Sequence, residues 1–426
     1  MWVRGDAQCA PLTADFVPDE RGGAFSENGT TRGHALLACE HFEHAPSHGV
    51  TVFACDPGRK DWNACVGPLI DHRPRGALWV LASDKVQHVP IEGYPTDKDF
   101  HPLGIALWDL GDALRVFATN HGETASSVEV IDLHQSPSGW TGSFVRTVSH
   151  PVGTHAVNSL VALGPSAFLV TNTHVALLRP PPLEHIRAML SSVYGAALAR
   201  FARVLAQQSL AKVLNQVDMV LGLGYVAHVA FDQEVTANVL VRRLMFPNGI
   251  ALTPSRRAMV VSSTVYPGML VFPIEPNADW STLELSERTT VHVPFFVDNI
   301  SLARRKHAPQ DDPIEGHMVV VAGHPSLRDM EKMKHDVTGA TTPAPSWAVE
   351  VYYVGDGDAS DDAPVRTDSV GVVTPGWCVR TLLQTNGRGT EHIKVPAATT
   401  AAWVDGRLLV ATLFNTAPVV CTGITH

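Results

Sequence analysis

The chain has 426 residues, 33 glycines and 30 prolines spread along it, and a formal net charge of −10. A negative balance argues against nucleic acid, whose recognition needs clustered basic residues. No window is long and apolar enough for a membrane-spanning helix, and no long polar linker separates one core from another, so a single repetitive domain over residues 1–426 is expected. Residues 1–20 hold no apolar stretch of signal-peptide length, being interrupted by Asp6 and Asp15.

Taken in chain order, short β-rich runs recur with turn signals between them, at 50–54, 77–82, 114–119, 127–132, 167–171, 258–262, 269–273, 317–322, 348–354 and 407–413. The last follows Asp405-Gly406, a hairpin signal. Many short strands with regular turns predict a sandwich, barrel or propeller. A unit also repeats, an inner strand leading through a turn to a strand rich in Val, Leu and Phe: 247–254 leads to 259–262, and 101–107 to 116–118. In a propeller, equivalent positions of separate blades converge on a central channel.

Residues 183–221 break the pattern. Leu183, Ile186, Leu190, Val193, Ala197, Phe201 and Leu205 fall at helical spacing after three prolines at 180–182. The plain reading is a helix packed on the propeller face. The functional readings are a lid, a dimer contact or a membrane-surface element. The polar, Pro-rich stretches 304–316 and 338–346 and the acidic stretch 355–363 read as surface loops.

Cys55 and Cys65 bracket a turn-rich loop that a disulfide could close, and six cysteines suit either redox compartment. Asn28-Gly29-Thr30 is a glycosylation signal. His34, His41, His44 and His48 fit no tight metal-ligand spacing. Serine-elbow, P-loop, zinc-protease and dinucleotide motifs are absent from the sequence.

The chemistry concentrates in five oxygen-bearing side chains. These are Glu40 in Ala-Cys-Glu-His, Asn158 in Ala-Val-Asn-Ser-Leu, Asn248 in Pro-Asn-Gly-Ile, and the pair Asp298 and Asn299 in Val-Asp-Asn-Ile-Ser. Each has apolar flanks that draw it inward. An oxygen-only set with two carboxylates suits Ca²⁺.

These motifs, in this order, resemble the paraoxonase/arylesterase family of calcium-dependent six-bladed β-propellers. The resemblance runs from about residue 38 to residue 421. His-Pro-Leu-Gly-Ile at 101–105, Thr119-Asn120-His121, Thr171-Asn172-Thr173-His174 and Ala322-Gly323-His324-Pro325 carry it further.

The resemblance implies an all-β propeller with the 183–221 insertion capping one face, and one catalytic Ca²⁺ on Glu40, Asn158, Asn248, Asp298 and Asn299. A second, structural calcium would fall on His41, the Ile105 carbonyl and Ser159. His41 and Ser159 stand where the family has aspartates, so that site is expected to be empty or replaced by direct hydrogen bonds. The family's histidine dyad keeps one member as His121, while the other position holds Leu103. His101, two residues earlier, or a ligand carboxylate such as Asp298 is then the alternative base. His174 and His324 take family-like positions near the channel ends.

With Leu103, Phe201, Leu205 and Tyr225, those two histidines form the expected substrate pocket. Cys421 matches a cysteine that bridges to the N-terminal strand, with Cys9 favoured over Cys39 because Cys39 abuts Glu40. Relatives commonly carry an N-terminal export or anchor segment, which favours a secretory location. The expected function is calcium-dependent hydrolysis of an apolar lactone or aryl ester, with a membrane surface as a further partner through the insertion. The alternative is a non-hydrolytic propeller that binds an apolar small molecule or guides its cyclisation or rearrangement. A scaffold for protein partners on the propeller face is disfavoured because all five ligand types are retained.

Overall fold

A computed structural model describes residues 2–3, 8–15, 17–18, 33–73, 75–178, 182–266, 268–334, 343–355, 374–386, 395–414 and 416–424. The glycosylation signal at Asn28 and most of the acidic stretch 355–363 lie outside the described residues. The chain folds as a six-bladed β-propeller, six sheets following one another in sequence.

The first blade is Cys39–Ala45, Val50–Cys55, Ala77–Ala82 and Lys85–Val89. The second is Pro102–Asp109, Leu114–His121, Ser126–Ser136 and Gly139–Val148. The third is Val157–Gly164, Ala167–Asn172, Gly224–Ala230 and Thr236–Leu244. The fourth is Pro247–Leu252, Ala258–Ser263, Gly268–Pro273 and Thr289–His292. The fifth is Phe296–Arg304, His317–His324, Ser346–Tyr353 and Trp377–Thr385. The sixth is Ala398–Val404, Arg407–Thr412 and Val419–Thr422, completed by the N-terminal strand Gln8–Pro11.

All ten β-rich runs read from the sequence mark strands. Asp405 and Gly406 both have positive φ, 49° and 74°, the two-residue turn that matches strand twist. Ser83 and Asp84 make the same kind of turn in the first blade, at 47° and 62°.

The chain divides into two compact units. The first, Thr13–Pro247 with Asp279–Glu284, contains the first three blades; the second, Met1–Leu12, Asn248–Ala278 and Leu285–His426, contains the rest. In the first unit, Val52, Leu78, Ile105, Val116 and Ile131 fill the space between blades one and two. Phe117, Phe168 and Tyr225 continue that apolar filling towards the helical insertion. In the second unit, blades four and five share Val260, Val271, Val297 and Val349, and blades five and six share Val320, Leu383, Leu408 and Val410.

Two disulfides form. Cys9 pairs with Cys421 across a sequence separation of 412, on the two strands that close the sixth blade. Cys39 pairs with Cys55, which overturns the expected Cys55–Cys65 loop. Cys39 and Cys55 face each other across the first hairpin, and the neighbouring Glu40 does not prevent it. Cys65 and Cys378 stay outside both bonds.

The insertion is broken into α1 (Leu183–Tyr194), a 3₁₀ turn at Leu198–Phe201, α2 (Ala202–Leu205) and α3 (Gln208–Leu221). Gly195 follows α1 at φ 90°, and Gly222 ends α3 in the left-handed region at φ 65°, which favours glycine. The buried face of α1 is Ile186, Met189, Leu190 and Val193, packed into the core of the first unit. The outer face is apolar too: Val213, Val217, Val220 and Leu221 of α3 are exposed. No described helix is long and apolar enough to cross a membrane.

Candidate functional site

One position recurs at the start of each blade's first strand. Glu40, Leu103, Asn158, Asn248 and Thr399 are each the second residue of that strand, and Asp298 and Asn299 the third and fourth. The register slips there in five blades, between Cys39 and His41, Pro102 and Ile105, Val157 and Leu160, Val297 and Ile300, and Ala398 and Thr400. Each slip is a β-bulge or a similar break in the ladder, and a bulge re-aims a side chain and is common beside functional sites. Glu40, Asn158 and Asn248 occupy this position, Asp298 and Asn299 follow it by one and two residues, and all five are buried.

The second strand of several blades supplies a hydroxyl that holds the bulge. Thr119 Oγ1 accepts from the Gly104 N–H at 2.9 Å and donates to the Asn158 carbonyl at 2.9 Å. Thr171 Oγ1 accepts from the Ser159 N–H at 3.0 Å. In the second unit Ser262 Oγ donates to the carbonyls of Gly249 and Asp298. A Cβ at Gly104 would lie 2.4 Å from the Asn158 carbonyl oxygen, and one at Gly249 would lie 2.7 Å from Asn299 Cα. Both glycines are therefore required by close backbone approach. Sequence reading missed the hydroxyl device, although its signal is visible in the repeated Thr-Asn pairs at 119–120 and 171–172.

In the second unit, Asn248, Asp298 and His324 meet. Asn248 Nδ2 donates to Asp298 Oδ1 at 2.6 Å and to Thr264 Oγ1 at 2.8 Å. His324 Nε2 donates to Asp298 Oδ2 at 2.9 Å. The Asn248 amide nitrogen is thus committed, which leaves Oδ1 as the atom of that side chain suited to a cation. His324 belongs to the Asp298 cluster.

In the first unit, Asn158 Oδ1 is buried without a hydrogen-bond partner, the condition of an oxygen suited to a cation. His41 Nδ1 accepts the Ile105 N–H at 3.2 Å, and burial lowers its pKa to about 4, so a neutral imidazole stands where a second calcium would need a carboxylate. The other histidines of the 34–48 group go separate ways. His44 bonds Thr51, His48 bonds Asp109, and His34 stacks on His88.

A cleft in the first unit gathers Trp62, Cys65, His121, His155, His174 and His185, among others. The His121 Nε2–H donates to the Val157 carbonyl at 2.6 Å. A carbonyl can only accept, so Nδ1 keeps its lone pair. Burial lowers the His121 pKa to about 4, with opposing help from the Val157 bond, so the ring is neutral at pH 7. His174 is held neutral in the same way, its pKa lowered to about 3 chiefly by burial, and it meets the Phe246 ring edge-on at 4.9 Å. His155 Nε2 bonds the Val175 carbonyl at 3.0 Å.

His101, the alternative base, is engaged by the protein on both sides of its ring. Its Nδ1 faces Asp56 Oδ2 at 3.1 Å and its Nε2 the His72 carbonyl at 2.8 Å. Both nitrogens are engaged with oxygens of the surrounding protein, and His101 does not line the cleft described above. Three expected pocket residues also lie elsewhere. Tyr225 is fully buried on the third blade and donates to the Val152 carbonyl at 2.9 Å. Leu205 packs against the core behind it. Phe201 is 46% exposed under the Arg200 guanidinium. None of the three lines the cleft, whereas His185 of α1 does. Leu103 is buried in its bulge and is not a cleft residue.

α3 shapes the cleft from behind. Asn215 Nδ2 donates to the Ala176 carbonyl at 2.9 Å and the Cys65 carbonyl at 3.3 Å. Asp218 Oδ2 accepts the N–H groups of Val175 and Ala176. Two buried polar residues three apart on an apolar helix were the available signal.

No family model matches the chain. Serum paraoxonase/arylesterase 2 of Canis lupus familiaris is 22% identical over 228 residues, covering 53% of this chain and 50% of the relative. The Rattus norvegicus protein of the same name is 21% identical over 204 residues, covering 48% and 46%. The chain is distantly related to the paraoxonases. The matched part spans about half the length of these relatives. Among solved structures, Trypanosoma rangeli sialidase is similar at a TM-score of 0.46 and 10% identity, covering 98% of this chain and 59% of that one. A luciferin-regenerating enzyme is similar at 0.42 and 11%, covering 96% and 95%. Likeness at that level carries no functional argument.

Proposed function

We propose that the protein is a calcium-dependent hydrolase of apolar lactones or aryl esters. The observation that carries this reading is the placement of Glu40, Asn158, Asn248, Asp298 and Asn299 within the first four residues of a blade's first strand, all buried and all oxygen-bearing. Two carboxylates and three carboxamides match the hard-cation preference of Ca²⁺. When bound, the ion would polarise a substrate carbonyl as a Lewis acid. The distant paraoxonase relationship supports the same class.

The chain's own residues account for the proton. His121 is neutral, anchored through Nε2 to the Val157 carbonyl, and lines the cleft with Nδ1 uncommitted to that anchor. It can take a proton at Nδ1 without losing its anchor. His324 orients the Asp298 carboxylate rather than acting as a free base. Apolar walls from Trp62, Ala156 and Leu177 suit an uncharged substrate. The apolar outer face of α3 supports a membrane surface as a further partner.

Leu103 favours the second reading, a propeller that binds an apolar molecule without hydrolysis, because a buried aliphatic chain stands at a register position held by polar residues in other blades. Elemental analysis after dialysis, with a panel of aliphatic lactones and aryl esters assayed with and without chelator, separates the two. Hydrolysis is expected, with about one calcium per chain and loss of turnover on chelation. Full activity in calcium-free buffer would refute the calcium mechanism. Ligand binding without turnover of any panel member would favour the second reading.

A further inference from the structure

The proton partner of His121 in the cleft is a thiol. Cys65 Sγ lies 3.8 Å from His121 Nδ1 and 3.9 Å from Nε2. Nε2–H is committed to the Val157 carbonyl, so Nδ1 is the atom that can exchange a proton with sulfur. Cys65 is outside both disulfides, and its carbonyl is fixed by Asn215 of α3. Its loop is held by Asn63, whose Oδ1 accepts the Cys65 N–H at 3.1 Å. The Trp62 Nε1–H bonds the His121 carbonyl at 2.7 Å, which ties the loop to the strand that carries the histidine.

A second observation points to a ligand in the same cleft. His174 is fully buried and lines it, and neither ring nitrogen meets hydrogen-bond geometry with a protein atom, the Cys65 backbone exerting only a weak opposing pull on its protonation. A buried imidazole with both nitrogens unsatisfied is a donor and acceptor available to a substrate oxygen.

We propose that Cys65 is the nucleophile of the reaction, with His121 as its proton acceptor and His174 as a hydrogen-bond donor to the substrate carbonyl oxygen; this rests on the ester- or lactone-hydrolase reading above. His121 Nδ1 takes the thiol proton as Sγ attacks the carbonyl carbon. The C–S bond forms, the C–O bond to the alcohol breaks, and the leaving oxygen takes the proton from His121. Water then gives a proton to Nδ1 while its oxygen bonds the thioester carbon. The C–S bond breaks, and the sulfur recovers its proton from His121. The sum is ester plus water to acid plus alcohol, with Cys65 regenerated. This arrangement uses a thiol–imidazole pair where Leu103 and the committed His101 leave no histidine dyad.

The test is a rapid-mixing assay of the full chain in calcium with p-nitrophenyl acetate, followed by acid quench and peptide mass analysis. Wild type is expected to release a burst of nitrophenolate stoichiometric with the chain and to carry one acetyl group on the Cys65 peptide. Cys65→Ala and Cys65→Ser should lose the burst and about 100-fold or more in turnover. Cys378→Ser should behave as wild type. Melting curves check that the Cys65 variants are folded, and the Ser variant keeps the side-chain size should the Ala variant fail. Steady hydrolysis abolished by chelator yet retained within about twofold by folded Cys65→Ala would overturn the nucleophile and leave the hydrolase reading intact. A Cys65-dependent burst without further turnover would support the nucleophile against that reading. Neither burst nor label would overturn the nucleophile.

Discussion

Asp298 has two protein neighbours besides any cation. Asn248 Nδ2 and His324 Nε2 both donate to its carboxylate at 2.6 and 2.9 Å. Asp298→Ala removes a proposed calcium ligand and also leaves a buried amide and a buried imidazole short of an acceptor. The variant should be inactive, and it should be less stable by about 1–3 kcal/mol even in chelator. Thermal denaturation of wild type and variant, each with and without chelator, checks this. Equal melting in chelator would show that the carboxylate matters to the fold only through the ion. Asp298→Asn retains one acceptor oxygen, so it should recover part of the stability but not the activity. At this scale the sequence was informative about identity and poor about partnership. Val-Asp-Asn-Ile and Pro-Asn-Gly-Ile marked the residues, because apolar flanks around an acid or amide are unusual. Nothing near Ala-Gly-His-Pro showed that His324 would bond Asp298, since that pairing depends on how two strands of the fifth blade register. The commitment of His101 to Asp56 was hidden for the same reason.

The strands were legible as elements because β-branched runs and Asp-Gly turns are local signals. The insertion was legible as helical, and the buried face of α1 follows the predicted spacing through Ile186, Leu190 and Val193. Extending the stripe past residue 197 failed. Gly195 breaks the helix, so Phe201 and Leu205 fall on a different axis, and Tyr225 belongs to a strand. What α3 contributes is polar. Asn215 and Asp218 tie it to Cys65 and to the segment just after His174. Asn215→Leu should break both Asn215 bonds with little change in volume. The expected result is a stability loss of about 1–3 kcal/mol and a rise in KM larger than the change in kcat, because the cleft walls lose their alignment. Urea denaturation and steady-state kinetics on the ester panel measure both. A variant with unchanged KM would show that α3 merely covers the core.

Across the molecule, the first unit concentrates its abnormal protonation in a few buried groups, and their signs oppose. His41, His121 and His155 have pKa values lowered to about 4, and His174 to about 3, chiefly by burial. The unfolded chain takes up those protons near pH 6.5, whereas the folded chain resists them until about pH 4 or below. Stability therefore falls as pH drops through that window. Glu43 and Asp218 act in the other direction. Burial raises Glu43 to about 8 against the Leu107 N–H, and Asp218 to about 6 against two backbone N–H groups. The folded chain keeps these protons when the unfolded chain has released them, so each contributes stability below its folded pKa that is lost as pH rises through it. From pH 8 down to 6.5 Glu43 dominates, and stability should rise. Below 6.5 four histidines oppose two carboxyls, and stability should fall by a few kcal/mol towards pH 4. Melting temperature recorded every half unit from about pH 4 to 8 should thus peak near 6.5. Glu43→Gln should flatten the alkaline limb alone, and His155→Gln the acid limb alone. A peak that stays in place with both limbs unchanged in both variants would mean that other groups set the pH dependence of this fold.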